Sequence, residues 1–126
     1  VERDAVIVAG FGFRSGATIE SLRAALALAQ SGLPDVTHLA TAGDKAPALR
    51  PLAEALRLPL LAVEAERLCA IPTATRSAAS RKARGTGSVA EAAALAAAGA
   101  RARLLCSRQI SPDRMAVCAI AQGLSA

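Results

Sequence analysis

Val6-Ile7-Val8-Ala9 runs into Gly10-Phe11-Gly12-Phe13-Arg14-Ser15-Gly16 and then into an amphipathic stretch that opens near Thr18. An apolar strand, a glycine-spaced loop and a helix start, in that order, fit a parallel α/β sheet. There the loop's backbone N–H groups and the helix N-terminus converge just beyond the strand. Orphan donors and the positive end of the helix dipole favour an anion at such a spot. Arg14 adds a full charge. The strand is expected over 5–9, the loop through Gly16, and beyond it a place for something negatively charged.

Periodicity extends the pattern. Ile19, Leu22, Leu26 and Ala29 share one face of a helix from about Thr18 to Gln30, capped by Thr18 and stopped by Ser31-Gly32 with Pro34. Val36 to Ala42 reads as a second strand, followed by the turn Gly43-Asp44-Lys45, where Asp44 suits a helix cap. Pro47 opens a second helix with the stripe Leu49, Leu52, Ala53 and Leu56. Leu60 to Val63 is a short apolar strand of the kind buried between helices. Glu64 to Cys69 and Ser77 to Arg84 read as short helical pieces on either side of Pro72. Ser88-Val89-Ala90-Glu91 is a capping box for a helix Val89 to Ala98 that ends at Gly99. Arg103 to Ser107 and Met115 to Ala121 are the last strands, paired as an antiparallel hairpin through Ser111-Pro112-Asp113. The order implies one domain over 1–126. It is a three-layer α/β/α sandwich around a mostly parallel, mixed sheet with an antiparallel C-terminal hairpin.

Composition narrows the function classes. The chain has 126 residues, 53% of them hydrophobic but only 2% aromatic, with no Trp or Tyr. A core of Ala, Leu, Val and Ile follows, and base stacking is not available, so no nucleic-acid partner is expected. The longest apolar run, Ala90 to Ala100, is too short to span a membrane, and the charged start Val1-Glu2-Arg3-Asp4 carries no signal-peptide pattern. Cys69, Cys106 and Cys118 lie far apart beside a single histidine, so no metal site is expected. The odd thiol count fits a reducing compartment, the cytoplasm. Net charge is +5, and 13 of the 15 basic residues are arginine, the residue suited to two-pronged contact with carboxylate or phosphate. No acid lies between Arg67 and Ala90, where Arg76, Arg81, Lys82 and Arg84 fall.

Gly10, Gly12 and Gly16 do not have the spacing of a dinucleotide fingerprint, because Ser15 stands where the third glycine belongs. The second strand ends in Leu39-Ala40-Thr41 without the acid that holds a ribose, and Gly16 is followed by Ala17-Thr18 rather than Lys-Ser/Thr. No cofactor is expected. The alternative for these glycines is that they only make the strand-to-helix turn. Thr41 and Lys45 follow the second strand and should lie at the same sheet edge, where ligands of open α/β sheets bind. For Lys45 a solvated turn is an equal alternative. Thr73 to Ser77 and Gly85-Thr86-Gly87-Ser88 form two more polar loops. The expected ligand-binding set is Gly10, Gly12, Phe13, Arg14, Gly16, Thr41, Lys45, Arg76, Gly85, Thr86, Gly87 and Ser88. His38 is expected to be packed or at an edge, Cys69 to be structural, and no catalytic constellation stands out, which leaves the question of enzymatic activity open.

Three segments in order, Val8 to Gly16, Leu39-Ala40-Thr41 with Lys45, and Gly85-Thr86-Gly87-Ser88-Val89-Ala90-Glu91-Ala92-Ala93-Ala94, resemble the CobE and CbiG C-terminal-domain family of cobalamin biosynthesis. The resemblance covers nearly the whole chain, and the last segment is the most distinctive. It implies a role in building the corrin ring. The ligand would be a precorrin or corrinoid intermediate, whose acetates and propionates surround a flat apolar macrocycle. CbiG is associated with opening a δ-lactone on a cobalt-containing precorrin. The chain matches only the C-terminal domain of CbiG, so that chemistry is not carried over. Family members often place an acid shortly after the lysine, whereas Ala46-Pro47-Ala48 follow Lys45 here. The chain is therefore expected to serve as a carrier or an enzyme component for such an intermediate. The rival is an interaction module that docks onto another cobalamin-pathway enzyme through residues 76–84. Self-association as a homo-oligomer is left open.

Overall fold

The computed structural model describes residues 6–14, 16–33, 35–64, 66, 89–99 and 102–123. Strand β1 (Val6–Phe13) sets the layering, because successive side chains of a strand point to opposite faces. Ile7, Ala9 and Phe11 enter one core cluster, and Val8 enters the other. Helix α1 (Ile19–Gln30) brings Leu22, Ala25, Leu26 and Ala29 to the first face at helical spacing. Thr18 caps it: its hydroxyl accepts from the Ser21 N–H, and the Thr18 N–H in turn donates to the Ser21 hydroxyl.

Strand β2 (His38–Ala42) leads through a 3₁₀ turn (Gly43–Lys45) into helix α2 (Ala46–Leu56). That helix adds Leu49, Leu52 and Ala53 to the first cluster. Pro51 within it lacks the N–H that would return to Pro47, but both prolines are exposed, where water can serve the carbonyl. Strand β3 (Leu60–Val63) follows. Helix α3 (Val89–Ala98) covers the opposite face, packing Ala92, Ala93, Ala94, Ala96 and Ala98 on Val8, Ala40, Ala42, Val63 and Ala121. Strands β4 (Arg103–Ile110) and β5 (Ala116–Gly123) form the C-terminal hairpin.

Among the described residues the strands form one sheet of order β3-β2-β1-β5-β4. β1, β2 and β3 are parallel neighbours, while β5 runs antiparallel to both β1 and β4. Only β5 is reversed, so the sheet is mixed and mostly parallel, between α1 and α2 on one face and α3 on the other. The expected three layers are present.

Alanine side chains are short, so α3 reaches a close-packed contact only if the sheet surface beneath it is bare. Gly10 and Gly123 provide that: a Cβ at Gly10 would overlap the Ala90 carbonyl oxygen, and one at Gly123 the Ala98 carbonyl oxygen.

Three local expectations are corrected. β1 continues to Phe13 instead of ending at Ala9, so Gly10 and Gly12 are strand residues and the loop begins at Arg14. β2 begins at His38, because Thr37 spends its side chain on Ile7, accepting from the Ile7 N–H at 3.0 Å and donating to the Ile7 carbonyl at 3.1 Å. β3 is an edge strand with Ala62 exposed, not a strand buried between helices. The readings made for residues 67–88, including the Ser88 cap, lie outside the described residues.

Candidate functional site

Parallel β1, β2 and β3 deliver their C-terminal ends to one edge of the sheet. The β4–β5 turn joins them there, because Phe13 pairs with Ala116 at the start of β5. On the first face α1 packs over β5 and β4 while α2 packs over β2 and β3. The end of β1 therefore lies where the two helices part, the usual location of a ligand crevice in open α/β sheets.

Phe13 is half-buried there against the first core cluster. The 3₁₀ turn after β2 swings Lys45 back over it, and the ammonium nitrogen sits 5.3 Å from the ring centroid. Two residues that are 32 positions apart in sequence are thus brought together as a cation over an aromatic face, an arrangement worth about 0.5–1 kcal/mol at an exposed site. Lys45 is also the N-cap position of α2 and makes no side-chain cap, so Asp44 does not take the capping place expected of it. Arg14 follows directly after β1 with an exposed side chain. Its N–H donates to the Met115 carbonyl at 2.9 Å, and its carbonyl accepts from Ala17 at 3.0 Å. Gly16 is exposed in the same loop, and a Cβ there would come 3.1 Å from the Met115 methyl.

Other members of the expected set are placed differently. Thr41 has no exposed surface, and its hydroxyl donates to the Phe11 carbonyl at 2.8 Å, which binds β2 to β1 and does not present the hydroxyl at the rim. Gly10 is fully covered by α3. Gly12 is half-buried on the same face, with Val89 at the start of α3 beside it. Its smallness lets that helix begin at the rim of the crevice. Arg76, Gly85, Thr86, Gly87 and Ser88 lie outside the described residues. His38 stands at the start of β2, at the end of that strand away from Lys45, with its Nδ1 2.7 Å from the Thr37 hydroxyl.

Sequence reasoning missed Asp113. This aspartate in the β4–β5 turn accepts from the Ser21 hydroxyl of α1, from the Ser111 hydroxyl, and from the Met115 N–H at 3.1 Å. The hydrogen bonds from Ser111, Ser21 and Met115, in that order of weight, hold its carboxyl below the ordinary aspartate range. The turn dipeptide Pro112-Asp113 signals a turn and nothing more, and no single-sequence signal marks a contact to a serine 92 positions away. The N-terminus of α1, read as an anion site, thus already has Thr18, Ser21 and a resident carboxylate about it. Glu20, Asp44 and Glu64 stand at the same edge, so positive charge in the described rim is local to Arg14 and Lys45 and, in the β4–β5 turn, to Arg114.

Among the described residues no group of three or more His, Cys, Asp or Glu side chains could hold a metal ion. No helix among them is long and apolar enough to cross a membrane. The arrangement offers a flat apolar face at Phe13 and two cations, Lys45 and Arg14, beside it. That suits the recognition of a planar anion better than proton transfer.

The family described as cobalamin synthesis G C-terminus matches residues 7–121. No curated protein sequence matches the chain. The crystal structure of CobE, a protein from the cobalamin (vitamin B12) biosynthetic pathway, is 32% identical, with a TM-score of 0.85 over 97% of this chain and 94% of that one. The cobalamin biosynthesis protein chiG from Agrobacterium tumefaciens str. C58 is 39% identical, with a TM-score of 0.72 over 94% of this chain and 98% of that one. A cobalamin biosynthesis protein G homolog from Sulfolobus solfataricus shares the fold at 16% identity and a TM-score of 0.71, over 93% of this chain and 36% of that one.

Proposed function

This chain belongs to the cobalamin synthesis G C-terminal family of vitamin B12 biosynthesis proteins, and within that pathway we propose that it binds a polycarboxylate precorrin or corrinoid at the C-terminal edge of β1 and β2. Phe13 would lie under the macrocycle while Lys45 and Arg14 receive carboxylates from its rim. The chain then serves as a carrier or as an enzyme component acting on the bound intermediate. The free thiols of Cys106 and Cys118 fit a reducing compartment, and the proposed setting is the cytoplasm.

The observation that carries this reading is the placement of Lys45 over Phe13. A macrocycle that takes over the ring face displaces the ammonium at a cost of about 0.5–1 kcal/mol. The displaced ammonium then reaches a carboxylate, where a charge-assisted hydrogen bond contributes about 1.5–3 kcal/mol. The exchange is favourable only for a ligand that is both flat and anionic, which is the chemistry of the corrin precursors.

A spectroscopic titration with hydrogenobyrinic acid tests it. The wild type should bind, and the Arg14→Ala, Lys45→Ala double variant should bind at least about tenfold more weakly. Equal binding by the double variant would move the site elsewhere on the molecule. No binding by the wild type would overturn the reading in favour of a module that docks onto another pathway enzyme.

A further inference from the structure

Loop 14–18 carries Arg14 at the rim of the crevice, and the β4–β5 turn holds that loop at both ends. At its start the Arg14 N–H donates to the Met115 carbonyl in the β4–β5 turn. At its end Thr18 caps α1 together with Ser21, and the Ser21 hydroxyl donates to Asp113 in the same turn. The turn is itself rigidly built. Asp113 accepts from Ser111 and Met115, Ser111 accepts from the Ala116 N–H at 3.1 Å, and the Arg114 N–H returns to the Ser111 carbonyl at 2.8 Å. Arg114 takes up a φ of 62° to close it.

Proton direction makes the carboxylate essential to this clamp. An ionised aspartate only accepts, so the single Ser21 proton is committed to Asp113. The Ser21 lone pairs then face Thr18, whose N–H lies 3.4 Å away and whose hydroxyl lies 3.2 Å away. A directed chain runs from Thr18 through Ser21 to Asp113, and it spans the loop that bears Arg14.

We propose that Asp113 is a positioning residue of the ligand site, clamping the β4–β5 turn to the start of α1 so that loop 14–18 and Arg14 are preorganised for an anionic ligand. This rests on the corrinoid-binding reading above. Preorganisation matters because a loop that must be ordered at the moment of binding weakens the affinity that its contacts provide.

The test separates the clamp from the ligand. In Asp113→Asn the amide nitrogen replaces one acceptor oxygen. Towards Ser111 and Met115 it opposes their donors, and towards Ser21 it reverses the proton direction of the chain, so the charge-assisted link is weakened without a change of shape. Amide resonances of Arg14, Gly16 and Ala17 in the unliganded protein should shift, while those of Leu49 and Leu52 in α2 stay in place. Hydrogenobyrinic acid should bind about tenfold more weakly, and Asp113→Glu should recover part of the loss. Ser21→Ala cuts the same link from the other side with the turn left intact, and should reproduce both effects if Asp113→Asn does not fold. Unmoved loop amides, or moved amides with unchanged affinity in a folded variant, would overturn the proposal. If the wild type binds no hydrogenobyrinic acid, the corrinoid reading fails and the positioning role falls with it, while the amide shifts still decide whether the clamp itself exists.

Discussion

At Gly10 the sheet and α3 approach so closely that a Cβ would sit on the Ala90 carbonyl oxygen and 2.6 Å from the Ala94 nitrogen. Both neighbours are helix backbone and cannot rotate away. Gly10→Ala should therefore destabilise the protein by about 1–3 kcal/mol in urea unfolding, the cost of overpacking a filled interface. Gly12→Ala should cost less, because its nearest neighbour is a Val117 methyl at 3.2 Å that has room to yield. Equal effects would remove this explanation of the two glycines. Asp113 gives a second prediction, in pH. Its folded carboxyl titrates below the ordinary value of 3.8, so the stabilisation it provides is present above that value and is lost as pH falls through the lowered one. The stability difference between wild type and Asp113→Asn should be constant from neutral pH to about pH 5 and should shrink towards pH 3. A difference that stays flat down to pH 3 would show that the carboxylate takes no special part.

Helix α3 and strand β4 are joined by a hydrogen bond to Glu91 as well as by the packing of Leu104 against the α3 alanines. The pairing of β4 with β5 shifts twice, between Leu104 and Cys106 and between Cys106 and Gln109, each time with an extra residue on β4. Arg108 lies in the second irregularity, and its N–H donates to the Glu91 carboxylate at 3.0 Å. Glu91 is fully buried in the first turn of α3. Its carboxylate thus supplies an acceptor to an amide in an irregular part of the ladder and fastens the outer strand to the helix. Glu91→Ala should cost about 1 kcal/mol, since a half-buried donor left without its acceptor bears part of the desolvation penalty. Glu91→Gln should recover much of that, because its amide oxygen can accept from Arg108. Urea midpoints of the two variants decide the point. The sequence marks Glu91 as a capping residue, and nothing in it points to β4, because a bulge is a property of two strands and leaves no pattern in one. Element bounds were more legible. The stripe Leu22, Leu26 and Ala29 and the stop at Gly99 place α1 and α3 within a residue of where they lie, whereas glycines suggest a loop, and the strand character of Gly10 and Gly12 is set by the alanine helix packed on them.

In the molecule as a whole, the order β3-β2-β1-β5-β4 puts the first and last described strands side by side at the centre. Local patterns carry the hairpin and the parallel pairs, but which strand the hairpin adds to is a tertiary choice. It is settled by Cys118 and Ile120 filling the face beneath α1 while Ala121 joins Val8 beneath α3. The candidate site follows the same division. That Phe13 and Lys45 should share an edge is readable from two consecutive strand-to-helix units, while the link from Ser21 to Asp113 exists only because β5 lies next to β1. The centre of the sheet should therefore be its most persistent part. β1 is paired on both sides and covered on both faces, with Val8 and Ala9 fully buried, and β5 likewise buries Ile120 and Ala121 completely. β3 is four residues long and lies at the end of the sheet formed by the described strands, and β4 is interrupted by its bulges. Native-state hydrogen exchange should be slowest at Ala9, Ile120 and Ala121, at rates set by global unfolding, and faster in β3 through local opening. Equal protection across all five strands would mean that the edges are held as firmly as the centre. Faster exchange in β5 than in β3 would mean that the C-terminal hairpin opens away from β1, taking Asp113 and the start of β5 from the crevice with it.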